Sequence, residues 1–257
     1  NEEYIQDIVD SWKAQAESYG MSLADLVSNY GLMIDDEEDF TDDTNERERT
    51  GDAYNLTDYD PARIEGEWQM PKLKPCKHVP KDLISFNYML TSEEFEKGIH
   101  FYIDDYQFER LWNRPYEYIY RLKEFDCVLT PDFSLYLDMP KAMKIWNVYR
   151  SKLLGQMMQD AGIKVIPTLQ WAEEDTYEWC FDGIPHNSTV SVSTIGVKGD
   201  PNALSIWYNG MDAAIERLQP KTIVLYGGRL EEYDFGDIKV VEILNHTTER
   251  MKASKKK

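Results

Sequence analysis

From position 83 onward, short runs of apolar residues alternate with longer stretches in which apolar residues recur every three or four positions. Continuous apolar runs are typical of strands that are buried on both faces, and the three-to-four spacing is typical of amphipathic helices. Their alternation predicts a mostly parallel sheet with helices packed outside it. The runs that we predict as strands are residues 83–89, 99–106, 127–132, 164–171, 188–196, 222–228 and 238–244.

The predicted helices have recognisable ends. Pro140 precedes the longest of them, and Gly162 stands where a glycine commonly ends a helix. Pro115 interrupts another helical pattern and should start a new segment at Tyr116, since proline has no backbone N–H to donate. A capping box begins a helix of one or two turns after the first strand. The predicted helices are residues 91–98, 108–125, 141–162, 172–183 and 201–220, followed by a polar helical tail after 244.

Six or seven parallel strands with helices between them suit two architectures: an irregular or incomplete (β/α) barrel, and an open doubly wound sheet. No G-x-G-x-x-G motif follows the first strand, which disfavours the dinucleotide-binding form of the open sheet. We therefore predict an α/β protein with a mostly parallel, barrel-like sheet and a small N-terminal helical segment. The predicted α/β domain covers residues 67–257.

The N-terminal part has a different character. Residues 1–34 contain two helical patterns, and the stretch YGMSLADL resembles the small helices at the carboxyl end of bacterial trigger-factor-like proteins. Residues 35–66 are predicted to be an acidic linker, because positions 35–60 hold twelve acids, two bases and few large apolar groups. A partner-binding acidic segment and a calcium loop are the alternatives, although DDEEDFTDDTNE lacks the central glycine of an EF-hand loop.

The formal net charge is -19, from 47 acidic and 28 basic residues. Phosphate contacts need clustered Lys and Arg, so this balance argues against direct nucleic-acid binding and fits a partner with a basic surface. Three scattered cysteines (Cys76, Cys127 and Cys180) form no metal-ligand pair by spacing and indicate a reducing environment. No apolar run reaches the roughly 18 residues of a membrane span, so we expect a cytoplasmic protein without membrane attachment.

Polar residues follow several of the predicted strands, and the carboxyl ends of parallel strands share the rim at which α/β proteins bind ligands. Two carboxylates facing one cavity can bind a divalent cation, or can divide the roles of acid and base. We predict Asp132, Asp104 and Ser134 as catalytic residues, with Asp104 and Asp132 as the ligands of any metal, and Arg114, Asn113, Trp171 and Tyr226 as substrate-binding residues.

These predictions have structural alternatives. Asp132 follows a proline and can cap a turn through its side chain. Asp104 and Asp105 point to opposite faces of a strand, so only one of them faces inward. Ser134 has no histidine near it in sequence, which disfavours a Ser–His–Asp triad. Arginines commonly pair with local acids, and aromatic side chains near a rim commonly pack in the core.

Four segments together resemble the domain-of-unknown-function 4417 family: IDDYQFERLWNRP, VLTPDFSLYLDMP with IWNVYRSKLLG, GIKVIPTLQW, and WCFDGIP with VSVSTIG. The similarity covers about residues 68–244. This family occurs in phages, mobile elements and Gram-positive bacterial genomes, so the resemblance implies such a setting and no particular reaction. It implies that a shared pattern includes Asn113, Arg114, Pro115, Asp132, Phe133, Ser134 and the Asp182–Gly183 pair.

Two functional hypotheses follow. In the first, the strand-end rim binds or hydrolyses a phosphate- or nucleotide-like ligand, with an unidentified cofactor for which a divalent metal is the candidate. In the second, a non-enzymatic protein binds a host or partner protein through its acidic N-terminal region, as the charge of -19 suggests. Strand-end carboxylates that converge on one concave surface would favour the first hypothesis.

Overall fold

The computed structural model describes residue 13, residues 46–230 and residues 233–245. The chain divides into a unit of residues 1–50 and a unit of residues 51–257. The fold below is that of the second unit, apart from a helix that begins at Glu46. The predicted N-terminal helices in residues 1–34, the first part of the acidic linker and the predicted polar tail lie outside the described residues.

The described residues form helices and strands in the alternating order that the sequence predicts. In chain order they are α1 (Glu46–Ala53), β1 (Ile64–Glu65), β2 (Met70–Pro71), β3 (Leu83–Ser85), β4 (Gly98–His100), α2 (Glu109–Asn113), α3 (Pro115–Leu122), β5 (Cys127–Leu129), α4 (Lys141–Asp160), β6 (Val165–Ile166), α5 (Tyr177–Cys180), β7 (Thr189–Ser193), α6 (Pro201–Leu218), β8 (Thr222–Tyr226) and β9 (Lys239–Ile243). Short 3₁₀ helices occupy Leu56–Asp58, Phe86–Tyr88, Asp105–Gln107 and Glu174–Thr176.

The seven strands from β3 to β9 run parallel to their neighbours and lie in the order of the sequence. One ladder joins β3 to β6 and another joins β7 to β9, and a parallel bridge between Thr168 and Ser191 connects the two. This sequential parallel order is the one found in (β/α) barrels, whereas doubly wound sheets reverse their order at a switch point. The predicted α/β class with a mostly parallel sheet is confirmed.

The strands curl around a shared interior. One buried apolar cluster contains Leu83 of β3, Leu129 of β5, Ile166 of β6, Val224 of β8 and Ile243 of β9. Since residues of the first and last parallel strands pack in the same cluster, the sheet is curved and barrel-like. Successive residues of a strand point to opposite faces, so the neighbours of these interior residues face the helices outside.

Two further clusters lie outside the strands. Val128 and Val165 pack with the helical layer of α2, α3 and α4, which contributes residues such as Leu111, Ile119 and Leu154. The other cluster packs β7 and β8 against α5 and α6. Helix α4 approaches the strands closely at Gly155, where an added Cβ would lie 2.8 Å from atoms of both Leu73 and Thr130.

The helix ends follow the sequence. Helix α3 begins at Pro115 and α4 begins directly after Pro140. Gly162, with a φ of 89°, lies in the left-handed region just after α4, and Gly183, with a φ of 76°, follows α5. These are positions where glycine is favoured because it has no Cβ.

Several predicted strands and one predicted helix are wrong in extent or type. Residues 83–89 form the strand β3 for three residues and then a 3₁₀ helix. Phe86 and Met89 are both fully buried, and their spacing of three residues places them on one side of a helical turn but on opposite faces of a strand. Residues 99–106 likewise turn after β4 into a 3₁₀ helix. Residues 91–97 form turns and irregular backbone instead of a helix, and Gly98 already belongs to β4. The Ser92 hydroxyl accepts the Glu94 N–H there at 3.1 Å.

The second half of the predicted acidic linker is structured. Residues 46–66 contain α1, a 3₁₀ helix and β1, and β1 pairs with β2 in an antiparallel ladder. Asn55 is buried and donates from its side-chain amide to the carbonyl of Trp112 at 3.0 Å. Residues 51–66 are therefore attached to the α/β fold: Asp52 is exposed, whereas Asp58, Asp60 and Glu65 are partly buried, and Glu65 accepts a hydrogen bond from the N–H of Gly183 at 3.1 Å.

Asn55→Ala should lower the free energy of unfolding by about 2 kcal/mol. The substitution removes the buried hydrogen bond, and it places alanine at a φ of 53°, a left-handed conformation that asparagine tolerates better. Urea unfolding of both proteins measures the difference. Asn187→Ala is the matched control, because Asn187 has a φ of 55° but is exposed, so about half the effect is expected. Equal losses for the two variants would show that the Asn55 contact contributes nothing.

Within the described part of the chain, none of the helices has both the length and the apolar character that crossing a membrane requires.

Candidate functional site

The loop that follows β5, residues 130–135, is fixed by hydrogen bonds from neighbouring elements. The hydroxyl of Ser151 in α4 donates to the carbonyl of Pro131 at 2.6 Å. The side-chain amide of Gln170, in the segment after β6, donates to the carbonyl of Phe133 at 2.7 Å. These bonds satisfy backbone carbonyls of an irregular segment, so the loop has one well-defined conformation.

Ser134 in this loop is held from two sides. Its carbonyl accepts a hydrogen bond from the Asn147 side chain at 2.7 Å. Its N–H donates to the Asp105 carboxylate at 3.0 Å, and its hydroxyl donates to the same carboxylate at 2.8 Å. Asp105 follows β4 and Asn147 belongs to α4. The carboxyl ends of β4 and β5 are therefore joined through Ser134.

A cation–π contact between α4 and the same loop also stabilises the loop. The guanidinium carbon of Arg150 lies 3.6 Å from the centre of the Phe133 ring. Arg150 also donates to the Asn147 side chain at 3.1 Å and to the Glu109 carboxylate at 2.5 Å. The arginine is buried, so these partners satisfy a charge that would otherwise be poorly solvated.

A cavity of about 550 Å³ opens at the carboxyl ends of the strands above this loop. Four of the residues predicted from the sequence line it, namely Asp104, Asp132, Ser134 and Trp171. They meet because they follow β4, β5 and β6, which are adjacent parallel strands. Ser193, another strand-end residue, also lines the cavity, together with Tyr102, Asn202 and Trp207, which the sequence did not single out.

Asp132 has an unusual protonation equilibrium. Burial raises the pKa of its carboxyl from 3.8 to about 7, and the negative charge of Asp105 adds to the rise, while a hydrogen bond from Gln170 opposes it. A carboxyl with a pKa near neutrality is partly protonated and partly ionised under physiological conditions. Such a group can both accept and donate a proton, as general acid–base catalysis requires.

Tyr102 separates this cavity from a second one of about 630 Å³ and lines both. Its hydroxyl forms a hydrogen bond with Ser191 inside the barrel, and burial raises its pKa. Tyr226, predicted to bind substrate beside Asp132, lines the second cavity together with His100, and their ring centres are 4.4 Å apart. Five of the seven predicted site residues are therefore distributed between two adjacent cavities at one rim.

Asn113 and Arg114 lie away from both cavities. They end α2 in the outer helical layer, where both are exposed, and the Arg114 guanidinium lies 3.7 Å from the Glu117 carboxylate. Neither residue is among those that line the two cavities. Arg114 therefore forms a local ion pair, which was the alternative to its predicted role in substrate binding.

Asp105 was not among the site residues predicted from the sequence. The sequence presents Asp104 and Asp105 as an acidic pair of which one faces inward, and the structure uses both. Asp104 lines the cavity and Asp105 positions Ser134 and raises the pKa of Asp132. Trp207 and Asn202 belong to α6, so a search for polar residues at the ends of strands does not find them.

The charge of the cavity limits what it can bind. Among the described residues that line it, the ionisable acids are Asp104, Asp132 and Asp200, and neither lysine nor arginine is present. A free phosphate would meet only negative charge there. A divalent cation, or a neutral or cationic organic molecule, matches the lining better.

Sequential parallel strands, helices outside them and a polar cavity at the carboxyl rim define a barrel-like α/β protein with a cavity at its mouth. Residues 62–246 match the family described as "Domain of unknown function (DUF4417)", and because this match covers more than half of the chain, the protein belongs to that family.

Its relatives include phage proteins. The "Gene 1 protein" of Mycobacterium phage D29 is 37% identical over 185 residues, which is 70% of this chain and 67% of the phage protein. The "Gene 1 protein" of Mycobacterium phage L5 is 40% identical over 163 residues, or 62% of this chain and 71% of the relative. No solved structure matches the chain. The family resemblance and the phage setting predicted from the sequence are confirmed.

Proposed function

We propose that the protein binds a nucleoside- or nucleotide-like small molecule in the cavity lined by Asp104, Asp132, Ser134 and Trp171, and that Asp132 exchanges a proton with it. The observation that carries this proposal is the Asp132 carboxyl, which has a pKa of about 7 and stands on a fixed loop at a cavity large enough for a small ligand.

The lining supports a ligand with a flat polar ring. Trp171 and Trp207 provide aromatic surface, and Ser193 and Asn202 provide hydrogen-bonding groups. Trp171 is itself fixed, because its indole N–H donates to the carbonyl of Ile206 at 3.1 Å. A nucleobase has the matching combination of a flat face and polar edges.

A phosphate group on the ligand needs a divalent cation in this acidic cavity. Asp104 and Asp132 would supply oxygen ligands of the kind that Mg²⁺ prefers. The charge of a cation held by these carboxylates would offset that of the phosphate, and it would also favour the ionised form of Asp132. Ser134, held by Asp105, would orient the ligand beside the metal.

Thermal shift and titration calorimetry with nucleosides and nucleotides, with and without Mg²⁺, test the proposal. We expect a nucleoside to bind without metal and its phosphorylated form to bind only with Mg²⁺. If one protonation state of Asp132 binds, affinity changes about tenfold between pH 6 and pH 8, because the carboxyl titrates near pH 7.

Asp132→Asn removes the titrating group and should abolish that pH dependence. Asp138→Asn is the matched control, since Asp138 is an exposed acid six positions further along the chain and does not line the cavity. Identical binding and pH dependence in both variants would contradict the role of Asp132. Absence of binding throughout the panel would favour the other hypothesis, that the acidic N-terminal region binds a partner protein.

A further inference from the structure

A second cluster of potential ligand groups lies at the opposite ends of the strands. His78 belongs to the extended segment that precedes β3, and Asp126 and Cys127 stand at the start of β5. The imidazole, carboxylate and thiol of these three residues place one ligand atom each within 4.8 Å of one another. The cluster is at the amino ends of the strands, whereas the mouth cavity is at their carboxyl ends, so the two sites are separate.

The carboxylate of Asp126 already has an orientation in which it could share a metal ion with His78. Its Oδ1 lies 3.1 Å from the ammonium of Lys164, and its Oδ2 lies 2.6 Å from Nε2 of His78. Lys164 thus fixes one carboxylate oxygen and leaves the other directed at the imidazole. A neighbouring group that orients a ligating side chain in this way is a regular feature of metal sites.

The identity of the donor atoms selects the kind of metal. Mg²⁺ and Ca²⁺ prefer oxygen ligands, whereas a set of one nitrogen, one oxygen and one sulfur suits Zn²⁺ and similar transition metals. We propose that His78, Asp126 and Cys127 bind a transition-metal ion of the Zn²⁺ class, which ties the segment before β3 to the first residues of β5.

The site has room for the ion and for a fourth ligand. A cavity of about 520 Å³ adjoins it and is lined by His78, Asp126 and Lys164. Tetrahedral nitrogen and oxygen ligands lie about 3.3 Å apart around Zn²⁺. The His78 and Asp126 ligand atoms, now 2.6 Å apart, would therefore move apart by about 0.7 Å, and water from the cavity would fill the fourth position.

Binding must also deprotonate Cys127. This thiol is fully buried, and burial raises its pKa, as does the charge of Asp126. A bound divalent cation reverses that preference, because the metal–thiolate bond replaces the proton. Affinity should consequently increase as the pH rises, with one proton released for each thiolate formed.

The full-length chain, stripped of metal with a chelator, tests the proposal with Zn²⁺ and Co²⁺. We expect Zn²⁺ at about a hundred times its dissociation constant to raise the Tm by about 5–10 °C. Mg²⁺ should give no comparable shift through this site. Co²⁺ should produce the thiolate-to-metal absorption band that a cobalt–sulfur bond generates, at one ion per chain.

His78→Gln and Cys127→Ala should each remove the Zn²⁺ shift, and Cys127→Ala should remove the cobalt–sulfur band. His186→Gln, which changes an exposed histidine outside the cluster, should bind as the wild type does. If Cys127→Ala folds poorly, His78→Gln remains decisive, since His78 is not part of the buried core. No Tm shift in the wild type, or shifts that persist in both ligand variants, would overturn the proposal.

Discussion

Asp132→Asn is expected to raise the free energy of unfolding by up to about 4 kcal/mol at pH 8, and by much less at pH 5. The folded protein raises the pKa of this carboxyl from 3.8 to about 7. Between pH 3.8 and about pH 7 the Asp132 carboxyl is ionised in the unfolded chain, while it still holds its proton in the folded protein. Stability attributable to Asp132 therefore falls as the pH rises through this window, and the full penalty is present above pH 7.

Asparagine has nearly the same size and carries no charge, so the variant avoids the penalty. Asp132 is half-buried, and solvent screening reduces the gain below its upper bound. Urea unfolding of the wild type and the variant at pH 5 and pH 8 measures the effect. Asp138→Asn, which replaces an exposed acid outside the cavity, is the control variant and is measured at the same two pH values. A gain for Asp132→Asn that did not depend on pH would contradict the assigned pKa.

Asp132→Asn is also expected to impair the proposed ligand binding, so the substitution should increase stability and decrease function. Proteins retain residues that destabilise the fold mainly where a site needs them. Asp132 stands on a loop that Ser151 and Gln170 hold in place, beside a second carboxylate that makes ionisation harder. The surrounding structure thus holds the Asp132 carboxyl at the cavity although its ionisation there is unfavourable.

The parallel sheet could be predicted because the buried strands have a simple signature. Residues 127–129 and 223–226 are continuous apolar runs, and each lies in a strand that is covered on both faces. The signature fails at residues 83–89, where a mostly apolar run that contains Ser85 and Asn87 bends after Ser85 into a 3₁₀ helix. Apolar content alone indicates burial, and only the packing of Phe86 and Met89 decides between a strand and a helical turn.

The site was predictable only as far as strand order determines it. Asp104, Asp132 and Trp171 line one cavity because each follows a strand and the strands are adjacent and parallel. Arg114 is close to Asp104 in the sequence, but it lies at the end of a helix in the outer layer. Its position therefore cannot be predicted from the order of the strands. His78 and Asp126 are 48 positions apart and meet because an extended segment without periodicity crosses the strand ends.

Gly210→Ala is expected to lower the free energy of unfolding by about 3 kcal/mol, although alanine is intrinsically favoured over glycine in a helix by about 1 kcal/mol. A Cβ at position 210 of α6 would lie 2.1 Å from Nε1 of Trp171 and 2.2 Å from its Cδ1. The ring cannot retreat freely, because its N–H is bonded to the carbonyl of Ile206 and Trp207 packs beside it with ring centres 6.1 Å apart.

Displacing Trp171 should also change the cavity wall, so the variant should lose ligand binding as well as stability. Urea unfolding followed by tryptophan fluorescence measures the first effect, and the nucleoside thermal shift measures the second. Gly51→Ala is the matched control: Gly51 also lies in a helix, and an added Cβ there meets nothing within 4 Å. That variant should be as stable as the wild type or slightly more stable. If Gly210→Ala behaved like this control, the close contact between α6 and Trp171 would not exist, and the tryptophan could not be a fixed wall of the cavity.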